Sequence, residues 1–429
     1  MSNLADKLKL YNNSSPTSQT AHNKPLISLS SLPNLTELPD FLPVDSGLYI
    51  RETYHRLKQN HTNLPYRALE LPTTVMGLLD LAGTDLPSGE VLFLDTETTG
   101  LSISTGTIPF LIGVAWLKES QLIIQQYFLS SPGGEPALVR QLDSLFKRFA
   151  YLCTFNGKSY DLPLIKNRFA LQRSTMKVFA HHFDLLHIWK RLLPKHHTGG
   201  FRQKNLESTL LQISRTDDID GADIPAIYFD WVKYGVDRGL KDIVYHNQLD
   251  MHGMVSLYNE AAELYQNAKT SQLSSRIRIG RILFRNHKFN EAKDLLEPIL
   301  SDSQLDQADQ SILLMTMYQV YAKLEDLYSA TNCLEKLAYL TKQPFETLLL
   351  LRFLEYKSKD YKQALYIIDQ LDQIVDFTKP ALNRSGATHH LLLRGKPQIQ
   401  RRIQRLKQKQ NAQNLNQHLT QKLTQKSAP

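Results

Sequence analysis

At 429 residues the chain exceeds one ordinary hydrophobic core, which predicts two or three domains with tails. Hydrophobic content of 42% fits a soluble globular protein, and the longest apolar runs, Phe110 to Leu117 and Leu348 to Leu351, fall far short of the roughly 20 residues that span a bilayer, so no membrane partner is expected. The net charge of +8 sits at one end: Phe377 to Pro429 holds eleven Lys or Arg and no Asp or Glu, which leaves about −3 (8 less 11) for the rest.

Residues 1–45, rich in Ser, Thr, Asn and Pro with little periodicity, read as a disordered or extended N-terminal arm. Met1 to Leu10 lacks the apolar segment and small-residue cleavage site of a secretory signal, and the chain is expected in the cytoplasm. Residues 46–87 contain short apolar pieces, Leu69 to Leu71 and Val75 to Leu81 among them, and are expected to form an extension packed on the domain that follows.

That domain, residues 88–266, opens on Val91-Leu92-Phe93-Leu94, a buried-strand pattern that breaks into Asp95-Thr96-Glu97-Thr98-Thr99-Gly100. Alternate strand residues share a face, so Asp95 and Glu97 point the same way, and two like charges that close call for a cation. Taken singly, the pattern also fits a strand end with two solvated acids. Thr107 to Leu117 and Gln121 to Leu129 predict a hairpin, Leu138 to Phe149 a helix, and Tyr151 to Phe155 a returning strand, which together make a mixed sheet. The two cysteines, Cys153 and Cys333, sit in buried-strand and buried-helix patterns, so neither a disulfide nor a zinc site is expected.

The returning strand turns at Asn156-Gly157 and delivers Tyr160 and Asp161 to the start of a helix, where Asp161 reads either as an N-cap or as a third acid of a site. Asp184 before Leu185 is expected to be an N-cap, and Lys195 to Lys204 a basic loop, solvated or holding phosphates. Far downstream, Tyr245-His246-Asn247-Gln248-Leu249-Asp250 lies early in a long helix, with His246 and Asp250 four apart on one face. A surface pair would have the same spacing.

From 270 to 377 the pattern is continuously helical. Ala292, Ala330 and Ala364 recur 38 and 34 residues apart between amphipathic halves, with Gly280 twelve residues before the first. This resembles tetratricopeptide (TPR) repeats, which implies a possible protein partner. Residues 378–429 read as a basic Gln-rich tail, either a flexible extension or an electrostatic tether for nucleic acid.

Jointly, D-x-E-T-T-G on a strand, N-G-x-x-Y-D at a strand-to-helix turn and an Asp on a late helix behind His or Tyr resemble the three motifs of the DEDD-type (DnaQ-like) 3′–5′ exonucleases of the ribonuclease H-like superfamily. The nearest likeness is to the bacterial YprB-type subgroup, in which such a domain precedes helical repeats. The resemblance implies an α/β ribonuclease H-like domain, a mixed sheet flanked by helices, followed by an all-α TPR-like domain. It makes Asp95, Glu97, Asp161 and Asp250 both catalytic and ligands of two Mg²⁺ or Mn²⁺ ions, since hard oxygen donors favour these over zinc. It places Thr98, Gly100, Leu101, Asn156, Tyr160 and Tyr245 at the terminal nucleotide. The chain departs from both standard patterns, having Tyr245 five and His246 four before the last Asp; His246 is the favoured base or water-orienting residue, because imidazole titrates near neutrality, and Tyr245 is the alternative. The implied activity is metal-dependent 3′–5′ exonucleolytic hydrolysis of single-stranded DNA or RNA. The competing expectation is a catalytically weak adaptor that works through its repeats.

Overall fold

The computed structural model describes residues 38–56, 91–374 and 395–426, apart from positions 39, 46, 101, 120, 195, 196, 198 and 217. The apolar pieces expected within 57–90 lie outside the described residues. Seven strands form one sheet: β1 (Leu42–Asp45), β2 (Leu48–Arg56), β3 (Val91–Thr98), β4 (Pro109–Lys118), β5 (Gln121–Leu129), β6 (Tyr151–Thr154) and β7 (His181–Asp184), in the order β1-β2-β5-β4-β3-β6-β7. The first five pair antiparallel and β3, β6 and β7 pair parallel, so the expected mixed sheet is present with its direction change beside β3.

The expected arm boundary at residue 45 falls between β1 and β2, and β2 is a sheet strand, pairing with β5 from Leu48 opposite Leu129 to Arg56 opposite Gln121. Pairing supplies partners for the N–H and C=O groups of β5, a backbone requirement that side-chain periodicity does not report.

The helices are α1 (Glu135–Phe146), α2 (Asp161–Leu171), α3 (Leu185–Leu192), α4 (Gln203–Leu210), α5 (Ile224–Tyr234), α6 (Leu240–Gln266), α7 (Leu273–Arg285), α8 (Phe289–Leu296), α9 (Gln307–Lys323), α10 (Leu327–Thr341), α11 (Pro344–Phe353), α12 (Tyr361–Ile374) and α13 (Gly395–Lys426). Strand alternation divides β3 between two cores. Leu92 and Leu94 pack with apolar residues of α1, α2 and α5, whereas Val91 and Phe93 pack with those of α3 and α6. The second core does not stop at the sheet. Tyr258 of α6 stands edge-on to Phe93 and Phe183, at 5.5 and 6.1 Å between centroids, and the same apolar cluster continues through Ile277, Leu296, Met317, Leu334 and Leu354 to Leu406.

Helices α7 to α12 follow one another as packed neighbours. A left-handed turn residue recurs at His287, Glu325 and Lys359, each five positions before a fully buried alanine, Ala292, Ala330 and Ala364. Gly280 gives α7 and α8 their close approach: a Cβ there would lie 2.4 Å from Leu296 Cγ.

The tail differs from the flexible extension that was one of its two expected forms: residues 395–426 form α13, which packs on α12 through buried Leu406. Arg402, Arg405 and Lys409 pair with Glu355, which lies in the π-helical turn Leu354–Ser358. The ionic node, Leu406 and Ile403 are its described attachments, too few apolar positions to leave a hydrophobic period along the helix. No described helix is long and apolar enough to cross a membrane.

Candidate metal and catalytic site

Because Val91 and Phe93 face α6, so do Asp95 and Glu97 two and four residues further along β3. Opposite them α6 presents His246, Asn247 and Asp250. Ligand atoms of Glu97, His246 and Asp250 all lie within 4.8 Å of one another. The His246–Asp250 pair is withdrawn from the surface, His246 buried and Asp250 half-buried, with Nε2 3.2 Å from Asp250 Oδ2 and 3.9 Å from Glu97 Oε1. Asp161 is the first residue of α2, with Tyr160 in the capping position, so it does not serve as the N-cap. Its Oδ1 accepts a 2.5 Å hydrogen bond from Thr96 Oγ1, which ties α2 to β3.

The electrostatics are those of crowded anions. Desolvation, and then the charges of Asp250 and Asp161, push the Asp95 carboxyl well above the usual range. Glu97 is likewise raised by burial first and by Asp95, Asp250 and Asp161 after it. Asp161 is pushed up to about 6, mainly by desolvation and against the bond from Thr96. Buried oxygens that repel one another are the donor set a hard divalent cation neutralises, so the residues present fit such an ion.

Several members of the site are not evident from the sequence motifs. Asn247 Nδ2 donates to Asp95 Oδ2 at 3.0 Å, and Asn247 Oδ1 accepts from Gln126 Nε2 at 3.0 Å. Asn247 fits only because Gly113 faces it: a Cβ on Gly113 would lie 2.1 Å from Asn247 Oδ1. A glycine inside a strand signals such a close approach, and Gly113 interrupts the Phe110–Leu117 run.

The segment from α4 to residue 218 clasps α6 from outside. Arg215 forks onto Glu207 at 2.7 and 2.6 Å and reaches Asp250 Oδ1 at 2.8 Å. Burial opposes the guanidinium charge, but Asp250 and Glu207 more than offset it and hold its pKa above the ordinary value. Asp218 Oδ1 meets His246 Nδ1 at 2.6 Å, while its Oδ2 pairs with Lys204 at 2.6 Å. Burial would raise the Asp218 carboxyl, yet Lys204 and His246 hold it below its usual value. Lys204, expected at the end of a basic loop, is therefore a helical residue already paired with an acid. The run Arg215 to Asp220 has no helical or strand period and reads as solvated turn acids, which hides the clasp.

The remaining expected residues divide. Thr98 and Tyr160 come together: Thr98 Oγ1 donates to Gly100 O at 2.8 Å, the Tyr160 hydroxyl donates to the same carbonyl, and the two side-chain oxygens are 3.0 Å apart. Asn156 holds the turn at φ +65°, its N–H donating to Asp184 Oδ1 at 2.9 Å. Asp184 also accepts from Lys158 N and Leu186 N, so the expected N-cap also fixes the Asn156 turn. Leu101 lies outside the described residues. Tyr245 does not join the carboxylates; it is exposed and lines a recess with Phe41, Arg51, Lys241 and Gln248.

Residues 92–262 match the family model RNase_H_2, described as RNase_H superfamily. The chain is also 29% identical over 341 residues to "Uncharacterized protein YprB" of Bacillus subtilis (strain 168), a match spanning 77% of this chain and 81% of the relative. The matched segment, 92 to 262, supplies every carboxylate and the histidine of the site.

Proposed function

We propose that the protein is a metal-dependent nuclease that removes nucleotides from the 3′ end of single-stranded DNA or RNA, with Asp95, Glu97, Asp161 and Asp250 holding two Mg²⁺ or Mn²⁺ ions. The observation that carries this reading is the buried meeting of Glu97, His246 and Asp250 within 4.8 Å, beside the mutually repelling Asp95 and Asp161. RNase H-like nucleases use divalent metals, and when bound such ions offset the charge of the phosphodiester, acidify the attacking water and stabilise the departing oxygen.

The chain's own residues supply the rest. With Nδ1–H donated to Asp218, His246 keeps the Nε2 lone pair turned toward Glu97 and Asp250, where it takes a proton from water. Arg215 occupies Asp250 Oδ1 and leaves Oδ2 toward the site. Thr98, Gly100 and Tyr160 form a braced edge against which the terminal nucleotide seats, with Asn156 at its rim. Helices α7 to α12 act as TPR-like repeats that bind a protein partner, supported by the recurring turn and alanine, and the protein works in the cytoplasm.

The test is digestion of 3′-labelled and 5′-labelled single strands of DNA and RNA with Mg²⁺, Mn²⁺ or EDTA, alongside Asp95→Ala. Stepwise, divalent-dependent loss of mononucleotides from the 3′ end is expected, and Asp95→Ala should abolish it. Wild type as inert as the variant on every substrate would overturn the reading.

A further inference from the structure

The last helix carries charge that the catalytic site does not use. Glu355 is fully buried, and it is met by three cations from one face of α13: Arg402 at 3.0 Å, Arg405 at 2.9 Å and Lys409 at 3.0 Å. A buried carboxylate is tolerable only when paired, so Glu355 fixes where α13 lies on the helical stack. One anion does not neutralise three cations, and the surplus is not cancelled elsewhere on α13, which has no Asp or Glu along its length. Arg401 and Lys407 of α13 are exposed, as are Arg352, Lys357 and Lys359 around the buried glutamate.

An aromatic group lies inside this positive surface. Tyr356, 55% exposed, has Lys409 Nζ 4.9 Å from its ring centroid, and its hydroxyl accepts from Arg405 Nη2 at 3.3 Å. Lys409 also stands 5.7 Å from the Tyr361 ring. Exposed aromatic faces among cations are the means by which single-stranded nucleic acids are held without base specificity: phosphates take the charges and a base takes the ring. A flexible acidic peptide would use the charges but would have no need of the ring.

We infer that the surface formed by α13 and the Glu355 turn is a second binding site for single-stranded nucleic acid, held apart from the carboxylates and gripping the strand along its length. This rests on the reading of the chain as one that acts on such strands, and goes beyond it by giving the helical stack a substrate contact. Glu355 is the pin of this surface; Tyr356, Arg401, Lys357 and Lys359 are its face.

The test is fluorescence anisotropy of a labelled oligothymidylate with the full chain in EDTA, over a series of salt concentrations. The variants are Tyr356→Ala and the combined Arg401→Gln, Lys357→Gln and Lys359→Gln, none of which pairs with Glu355. The threefold variant should lower the slope of log affinity against log salt by up to about 2, since each phosphate contact on a single strand contributes about 0.7. Tyr356→Ala should weaken binding about fivefold or more. Both should leave cleavage of a dinucleotide unchanged while raising KM for a long strand. Unchanged slope and affinity would overturn the inference. So would poly-glutamate competing as well as an oligonucleotide of equal charge, with Tyr356→Ala silent, because that outcome assigns the surface to acidic proteins. Binding in EDTA needs no turnover, so a chain that binds through these residues yet cleaves nothing sinks the nuclease reading and leaves this one standing.

Discussion

Gly113→Ala tests the structural argument without altering any charged group. In register opposite Asp95 on β3, Gly113 leaves the space that Asn247 fills. An added Cβ would lie 2.1 Å from Asn247 Oδ1, so the amide must retreat by about 1.3 Å to reach the 3.4 Å of ordinary contact. Asn247 is fully buried and cannot swing into solvent, so retreat breaks its bonds with Gln126 and Asp95. Overpacking and buried groups left without partners each cost about 1–3 kcal/mol, giving roughly 2–6 kcal/mol in all. For a domain of this size that is a fall in Tm of roughly 4 to 24 °C. Asp95 loses its only side-chain donor among the described contacts, and metal affinity or turnover should fall about 10- to 100-fold, the usual effect of removing a partner that orients a metal ligand. Differential scanning fluorimetry and Mn²⁺ titration measure the two effects separately. Adding Asn247→Ala should restore part of the lost Tm by reopening the space, without restoring the metal site. A Gly113→Ala protein with unchanged Tm and Mn²⁺ affinity would refute the packing argument.

Arg215→Met should destabilise the protein by about 3–5 kcal/mol in denaturant unfolding, because it strands the buried Glu207 against Asp250 and Asp218. Arg215→Lys, which cannot make the fork onto Glu207, should recover only part of that. Asp218→Asn should lower kcat about 10- to 100-fold with little change in KM, since it disturbs the orientation of His246 rather than the strand; equal loss in both would count against the dyad. The acids make stability depend on pH. Asp161, ordinarily near 3.8 and raised to about 6 in the fold, binds more protons folded than unfolded across that window, so its contribution is present at low pH and is lost as pH rises through about 6. In EDTA the Tm of wild type should therefore fall relative to Asp161→Asn between those values. Saturating Mg²⁺ or Mn²⁺ at pH 7.5 should reverse the deficit, adding about 2.7 kcal/mol at a hundred times Kd.

What could be read in the sequence was whatever depends on short-range pattern. Val91 to Gly100 announces a buried strand carrying two acids because alternation and a breaker fall within ten residues. Asp161 and Asp250 were legible through Asn156-Gly157 and the helical spacing of His246. The clasp was not, since Arg215 and Asp218 derive their meaning from partners on α4 and α6 rather than from neighbours in sequence. Strand β2 escaped for a related reason: its hydrogen bonds to β5 are a backbone matter, and beyond buried Leu48 and Tyr49 its side chains from Arg51 to His55 alternate between half-buried and exposed. Helix α13 looked like a solvated tail because its attachment is a buried glutamate more than forty residues upstream, answered by cations that in sequence resemble any other charge run.

Helix α6 carries His246 and Asp250 on one stretch and Tyr258 on the next, and the apolar cluster it enters extends to Leu406. A scissor cut after Gln266 would therefore not yield two independent proteins. Each half would present a raw hydrocarbon wound, the catalytic half along α3 where α7 packs on it, the helical half along Ile277 and Leu283. Whoever trims this chain to its nuclease should expect aggregates unless α7 is left attached as a cover.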